Sequence, residues 1–177
     1  MVAPTLAPLV RAQANDSWLW VPAIADISEP VVTEIEAAGG FNLSCAIPSD
    51  QEGFTGTTEK LTLPMRNCET VTFEVNGSTN YSAPDFQVFF SPQAASGAEG
   101  KKAWEAMDDM SNGFLVRRQG KDAKTVIATG DFVDVVPAQL GVKIPTKTGT
   151  DAAAVYSFTV SASITSTPAW NVAVVAA

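Results

Sequence analysis

Among the side chains of this sequence that could carry out bond chemistry are carboxylates that fall in pairs. Asp108 and Asp109 fall at the end of a predicted helix, and Asp131 and Asp134 bracket a predicted strand. Two acids on opposite sides of a glycosidic bond can divide proton donation and attack between them, so these pairs support one enzymatic reading, an acidic glycan-cleaving enzyme. Carboxylates on solvated edges explain them more simply. Histidine is absent, which removes the commonest general base and the commonest metal ligand together. A hydrolase triad would then need a lysine or carboxylate base beside its nucleophile, and neither Ser-x-x-Lys nor Gly-x-Ser-x-Gly occurs. Gly120-Lys121 and Lys147-Thr148-Gly149 lack the spacing and the strand-to-helix context of a phosphate loop. Cys45 and Cys68 have no further soft ligands for zinc. They are expected as small core residues, with a disulfide as the alternative if their strands pair. The expectation is a non-enzyme with no catalytic residue, cofactor or metal.

Composition narrows the remaining classes. A chain of 177 residues supports one domain with a sizeable core. Its 46% hydrophobic and 17% charged residues describe a folded globular chain. A net charge of −8 argues against attraction to nucleic acid or an anionic membrane, since phosphate binding needs clustered Lys and Arg. The densest basic run, Arg117-Arg118-Gln119-Gly120-Lys121, is balanced by Asp122 and Asp131. No apolar run reaches the length of a membrane-spanning helix. The start of the chain ends in Ala12-Gln13-Ala14, which mimics a signal-peptidase site. It lacks a basic opening, and Pro4 and Pro8 interrupt it, so residues 1–16 are expected as a mobile arm before a single domain at 17–177. The Asn-x-Ser patterns at Asn15, Asn42, Asn76 and Asn80 would matter only in a eukaryotic secreted chain.

The elements that must position any site are mostly strands. Ser17 to Val21 reads as a first strand ended by Pro22, and Phe41 to Ile47 as a second. A short helix is predicted near 30–38, with Pro30 in its first turn and Gly39-Gly40 as its stop. Leu61, Leu63 and Met65 share one face of a strand. Val71, Phe73 and Val75 alternate with Thr70, Thr72 and Glu74, the pattern of a half-buried strand, and Asn76-Gly77 signals a turn after it. Phe86, Val88 and Phe90 repeat the alternation. Ser96-Gly97-Ala98-Glu99 matches a capping box, opening a helix at about 96–111 whose Ala103, Trp104, Met107 and Met110 are expected to pack on a sheet. From Gly113 onward the chain is strand and turn. Phe114, Val116 and Arg118 share a side, as do Val133 and Val135. A Thr- and Gly-rich turn is expected from Pro145 to Thr150. The longest strand runs from Tyr156 to Ile164, and a last one from Trp170 to Val175. The fold class is therefore mainly β, a sandwich or partial barrel with one flanking helix and a second, short one.

Taken in order, these segments resemble the major tail tube proteins of long-tailed bacteriophages, particularly those of actinobacteria. The resemblance lies in the aromatic opening from Trp18 to Asp26, the Glu-rich turn or helix from Glu29 to Ala38, and the Gly-Phe-Asn-Leu-Ser-Cys segment at Gly40 to Cys45. It continues through Pro84 to Val88, the helical Ala98 to Met107, Gly113 to Arg118, and the Val-Ala-Val-Val-Ala ending at Val172 to Ala176. It implies two packed sheets with a flanking helix, and six subunits to a ring whose sheet edges join into one inner barrel. Rings would stack into a virion tail tube for DNA ejection, assembled in the host cytoplasm. The implied partners are other copies of the chain and the tape-measure, tail terminator and distal tail proteins, with DNA passing unbound. The alternative is a β-sandwich binding module, such as a capsid decoration protein or a carbohydrate-binding domain, with Phe54 and Tyr81 as its exposed rings.

Within that reading two surfaces are expected to serve assembly. The polar loop Pro48 to Thr57, with Ser49, Asp50, Gln51, Glu52, Phe54 and Thr55, is expected between rings. It and the turn at Lys143 to Thr150 are expected to be mobile in the free subunit. The hydroxyl-rich Ser157, Thr159, Ser161 and Ser163, together with Thr70, Thr72 and Glu74, are expected to form a wet, uncationic wall facing the lumen.

Overall fold

The computed structural model describes residues 9–37, 39–68 and 70–177. Residues 1–8 of the expected arm and Ala38 of the expected short helix lie outside them. The chain is coil from Leu9 to Asn15, and its end is tied down by Gly120 and Ala123, whose N–H groups donate to the carbonyls of Asn15 and Ala14.

In chain order the elements are β1 (Asp16–Val21), α1 (Val32–Ile35), β2 (Phe41–Asn42), β3 (Thr55–Thr62), β4 (Glu74–Ser82), β5 (Phe86–Phe89) and α2 (Glu99–Ala106). They continue with β6 (Asn112–Gln119), β7 (Phe132–Leu140), β8 (Ile144–Thr148), β9 (Val155–Val160), β10 (Ala162–Ile164) and β11 (Ala169–Ala173). The class is mainly β, as the alternating patterns predict. A six-stranded antiparallel sheet has the order β10-β7-β6-β1-β2, with β11 also paired to β7. A three-stranded sheet, β5-β9-β8, packs against it, and β3 with β4 forms a separate two-stranded ribbon.

The near-continuous apolar run Trp18-Leu19-Trp20-Val21 exists because both faces of the large sheet are covered, the situation in which strict alternation disappears. Trp18 and Trp20 face a core shared with Leu115, Val136, Phe86 and Phe158, into which α2 sends Ala103 and, from its C-cap, Met107. Leu19 and Val21 face a second core with Val116, Val133, Val135 and Ile127. Along β7 the side chains divide the same way, Val133 and Val135 to the second core, Val136, Ala138 and Leu140 to the first.

Several elements differ from the sequence expectation. Helix α2 ends at Ala106, so Met110 lies beyond it, 57% exposed, at φ 57°. Its N-cap is Ala98 with no side-chain cap bond. Glu105, in the last turn of the helix, instead takes the Gly97 N–H (3.0 Å) and a bond from the Ser96 hydroxyl, so the capping box does not form. Helix α1 is capped from within, because the Glu34 carboxylate accepts from the N–H groups of Val31 and Ala25. Strand β2 stops after two residues, where Asn42 Oδ1 accepts from Ser44 N–H in a local turn. The expected turn from Pro145 is strand β8, with Pro145 opposite Phe158 on a sheet edge, where a residue without an N–H is tolerated. The longest predicted strand breaks at Ser161, so β9 belongs to the small sheet and β10 to the large one. Both cysteines are free and exposed rather than buried in a core.

Candidate assembly interface

The β3–β4 ribbon leaves the sandwich as an exposed hairpin. Its ladder runs from Thr55 opposite Ser82 to Thr62 opposite Glu74. One extra residue on β4 around Gly77 and Ser78 shifts the register, so Asn76-Gly77 is a bulge inside the strand and not a turn. Beyond the bulge Leu61 faces Val75, and the Leu63 N–H donates to the Phe73 carbonyl at 2.8 Å. Pairs directly opposite share a face. One face of the outer hairpin therefore carries Leu61, Leu63, Phe73 and Val75, and Met65 and Val71 continue the alternation into the connection. All six are between 42% and 59% exposed. The opposite face is polar, with Lys60 and Glu74 paired at 3.8 Å and Thr58 bonded to Thr79 at 3.0 Å. Alternation predicts a half-buried strand here, yet nothing within the described chain covers it.

The root of this hairpin is held by rings. Phe54, immediately before β3, lies 5.0 Å from the buried Trp18 and 5.6 Å from Trp170. Tyr81, near the end of β4, lies 5.8 Å from Trp170. Phe54 is half-buried in this stack, so it is not the exposed ring of a sugar platform. Of the other residues of that loop, Ser49, Asp50 and Glu52 are exposed, Gln51 donates to the Asp85 carbonyl, and Thr55 already belongs to β3. Sequence offers no signal for the stack, whose four rings come from positions 18, 54, 81 and 170.

The residues expected to share a lumen wall fall on separate surfaces. Thr70 and Thr72 lie in the connection between β3 and β4, ahead of Glu74 at the start of β4. Ser157 and Thr159 lie on the outer face of the small sheet, opposite to Phe158 and Val160, which enter the core. Ser157 is fully covered there and shares a hydrogen bond with Thr148 at 2.7 Å, so it is not solvated in the subunit. Ser161 occupies the corner where the chain changes sheets, its carbonyl accepting from Gly141 N–H at 2.8 Å. Ser163 pairs with Gln139 and points out of the large sheet, away from Ala162 and Ile164 on the core side. On the helix and at its C-cap, Ala103 and Met107 are buried and the half-buried Trp104 stacks on Phe90 at 5.1 Å, while Met110 takes no part.

The two arginines of the basic run are paired inside the subunit. Arg117 Nε and Nη2 donate to the two oxygens of Asp16 at 2.9 and 2.7 Å, and its guanidinium lies over Trp18. Arg118, 1% exposed, pairs with Asp131 at 3.0 Å and donates to Ser17 and to the carbonyls of Asp122, Thr125 and Val126. Lys121 also reaches Asp131. Burial pushes the Asp131 carboxyl up, but bonds from Lys121, the Ala128 N–H and Arg118 together hold it below the ordinary carboxylate range. Asp134 accepts from Asn171 N–H at 2.9 Å. The Asp131 and Asp134 pair is thus structural, and Asp108 and Asp109 are exposed. Among the described residues no group of three or more Cys, Asp or Glu is placed to hold a metal, and no helix is long and apolar enough to cross a membrane.

Comparison with known proteins adds the family. The chain matches the family described as phage tail tube protein over residues 5–177. No curated protein matches it by sequence. Among solved structures, a chain of the anti-feeding prophage baseplate, determined by cryo-electron microscopy with six-fold symmetry, is similar at 8% identity and a TM-score of 0.49. The similarity covers 94% of this chain and 95% of that one.

Proposed function

This chain belongs to the phage tail tube protein family, and from that premise we propose that its copies join head to tail into rings of six, which stack into a tube for DNA ejection. A tail tube protein is a structural, non-enzymatic component of the virion tail. The observation that carries the finer reading is the uncovered apolar face of the β3–β4 hairpin. An apolar face of this extent on a soluble chain marks a contact surface. Placed on a projecting arm, it meets a different surface of the next copy, and such heterologous contacts close into rings or continue as filaments. The free edge of β8 supports the same reading, because joining edges between subunits removes unpaired backbone groups. Tape-measure, tail terminator and distal tail proteins would be the other partners, met during assembly in the host cytoplasm.

For the lumen we propose the outer face of the β5-β9-β8 sheet, where Gln87, Thr146 and Thr159 lie together without a charged side chain. Clustered cations there would hold phosphates.

The test replaces Leu63 and Phe73 together by serine and compares that variant with the parent in sedimentation and negative-stain micrographs of concentrated protein. The parent should form rings, tubes or larger polymers. The double variant should remain a subunit with unchanged circular dichroism, since these side chains contribute nothing to either core. A variant that polymerises like the parent, or a parent that stays monodisperse, would overturn the reading.

A further inference from the structure

We propose that Trp170 is the positioning residue that sets the direction in which the β3–β4 hairpin leaves the body. This deepens the assembly reading and rests on it for its consequence. The hairpin shares no ladder with either body sheet, and β4 passes close to the body beside β10. Its direction must therefore be held by side chains at its root. Trp170 touches both strands at the root of the hairpin, Phe54 just before β3 at 5.6 Å and Tyr81 near the end of β4 at 5.8 Å. Phe54 passes the contact on to Trp18, which is 1% exposed and fixed in the first core. Trp170 itself belongs to neither core and is 39% exposed.

A local irregularity aims the ring. Ala169 pairs with Val135 and Val172 with Val133, so β11 carries one residue more than β7 across this stretch. In a regular strand residues 169 and 172 would point to opposite faces. Here both pack on the second core, because the bulge is taken up at Asn171, a non-glycine residue at φ 52° whose N–H is held by Asp134 at 2.9 Å. Trp170 is thereby turned the other way, onto the root of the hairpin. A backbone conformation of this kind in a non-glycine residue costs energy and persists only where its surroundings enforce it.

The length of the arm makes the clamp consequential. Eight residues of strand at about 3.3 Å each carry the tip about 26 Å from the root. A tilt of about 10° at the root displaces the tip by about 4.5 Å, as much as the whole separation within which apolar side chains touch. Loosening the clamp should therefore scatter the apolar face away from its partner without disturbing either core.

The chain's own thiols report that motion. Cys45 lies in the body and Cys68 in the connection between β3 and β4; they are the two cysteines of the sequence, both free and exposed. Nitroxides on both, read by electron–electron double resonance in the full chain held as dilute subunits, should give a narrow distance distribution. Trp170→Ala should broaden it at least twofold, Tyr81→Ala should do the same from the hairpin side, and Trp170→Phe should restore it. Assembly of the alanine variants should fall about tenfold. A narrow, unshifted distribution in folded Trp170→Ala and Tyr81→Ala would overturn the proposal, even if the Leu63 and Phe73 variant fails to assemble. Should that apolar-face variant instead assemble normally while the distances broaden, the clamp stands and the assembly reading falls.

Discussion

Replacing Asp131 by alanine should destabilise the subunit by about 3 kcal/mol, the lower end for stripping one partner from a buried ion pair. The lower end follows from the surroundings of Arg118. After the change its guanidinium would still donate to the carbonyls of Asp122, Thr125 and Val126 and to the Ser17 hydroxyl, so it loses its countercharge but not most of its hydrogen bonds. Lys121 adds little, since its side chain is largely in water and can be resolvated. In a chain of this length the loss corresponds to a fall of about 6–12 °C in melting temperature. Urea unfolding followed by tryptophan fluorescence measures it, with an unchanged m value expected because both cores remain. Asp131→Asn keeps an acceptor for the Ala128 N–H and should lose less, about 2 kcal/mol. The pH dependence provides a second measure. The folded carboxyl titrates below its unfolded value, so its contribution is complete above about pH 4 and is lost as the pH falls through the depressed folded value. Asp131→Asn should remove that part of the parent's acid sensitivity. A loss under about 1 kcal/mol for Asp131→Ala, with an acid profile unaltered in Asp131→Asn, would refute a buried pair holding the 120–131 segment onto the sheet.

Met107→Ala should cost about 2–5 kcal/mol in urea unfolding, because the side chain is fully buried in the first core; Met110→Ala should change stability by no more than about 0.5 kcal/mol. Gly113→Ala should cost about 1–3 kcal/mol by the same assay, since the new Cβ would lie 2.6 Å from the Trp20 ring and 2.8 Å from the Val21 carbonyl oxygen. Both thiols of the native protein should react promptly with a disulfide reagent at neutral pH, two equivalents per chain and no slow phase, as expected for free, exposed cysteines.

Much of this fold was legible along the chain. Strand β1 announces its two-sided burial in four consecutive apolar residues, and the alternation in β5 and β9 identifies Phe86, Val88, Phe158 and Val160 as core. The missing histidine already pointed away from catalysis. Legibility failed where partners come from afar. The hydroxyl pattern from Ser157 to Ser163 is continuous in sequence, but a change of sheet at Ser161 divides it between two outer surfaces. Asn76-Gly77 has the composition of a turn, and became a bulge because Thr58 and Lys60 across the ladder fix its register. Trp170 reads as one more apolar residue of a last strand, and only the bulge at Asn171 turns it onto Phe54 and Tyr81. The hairpin is the most instructive case. Alternation from Leu61 to Val75 states correctly that one face is apolar, because side chains two apart on a strand share a side. Whether that face is covered within the chain depends on where distant segments pack, a matter of tertiary contacts on which a period of two carries no information.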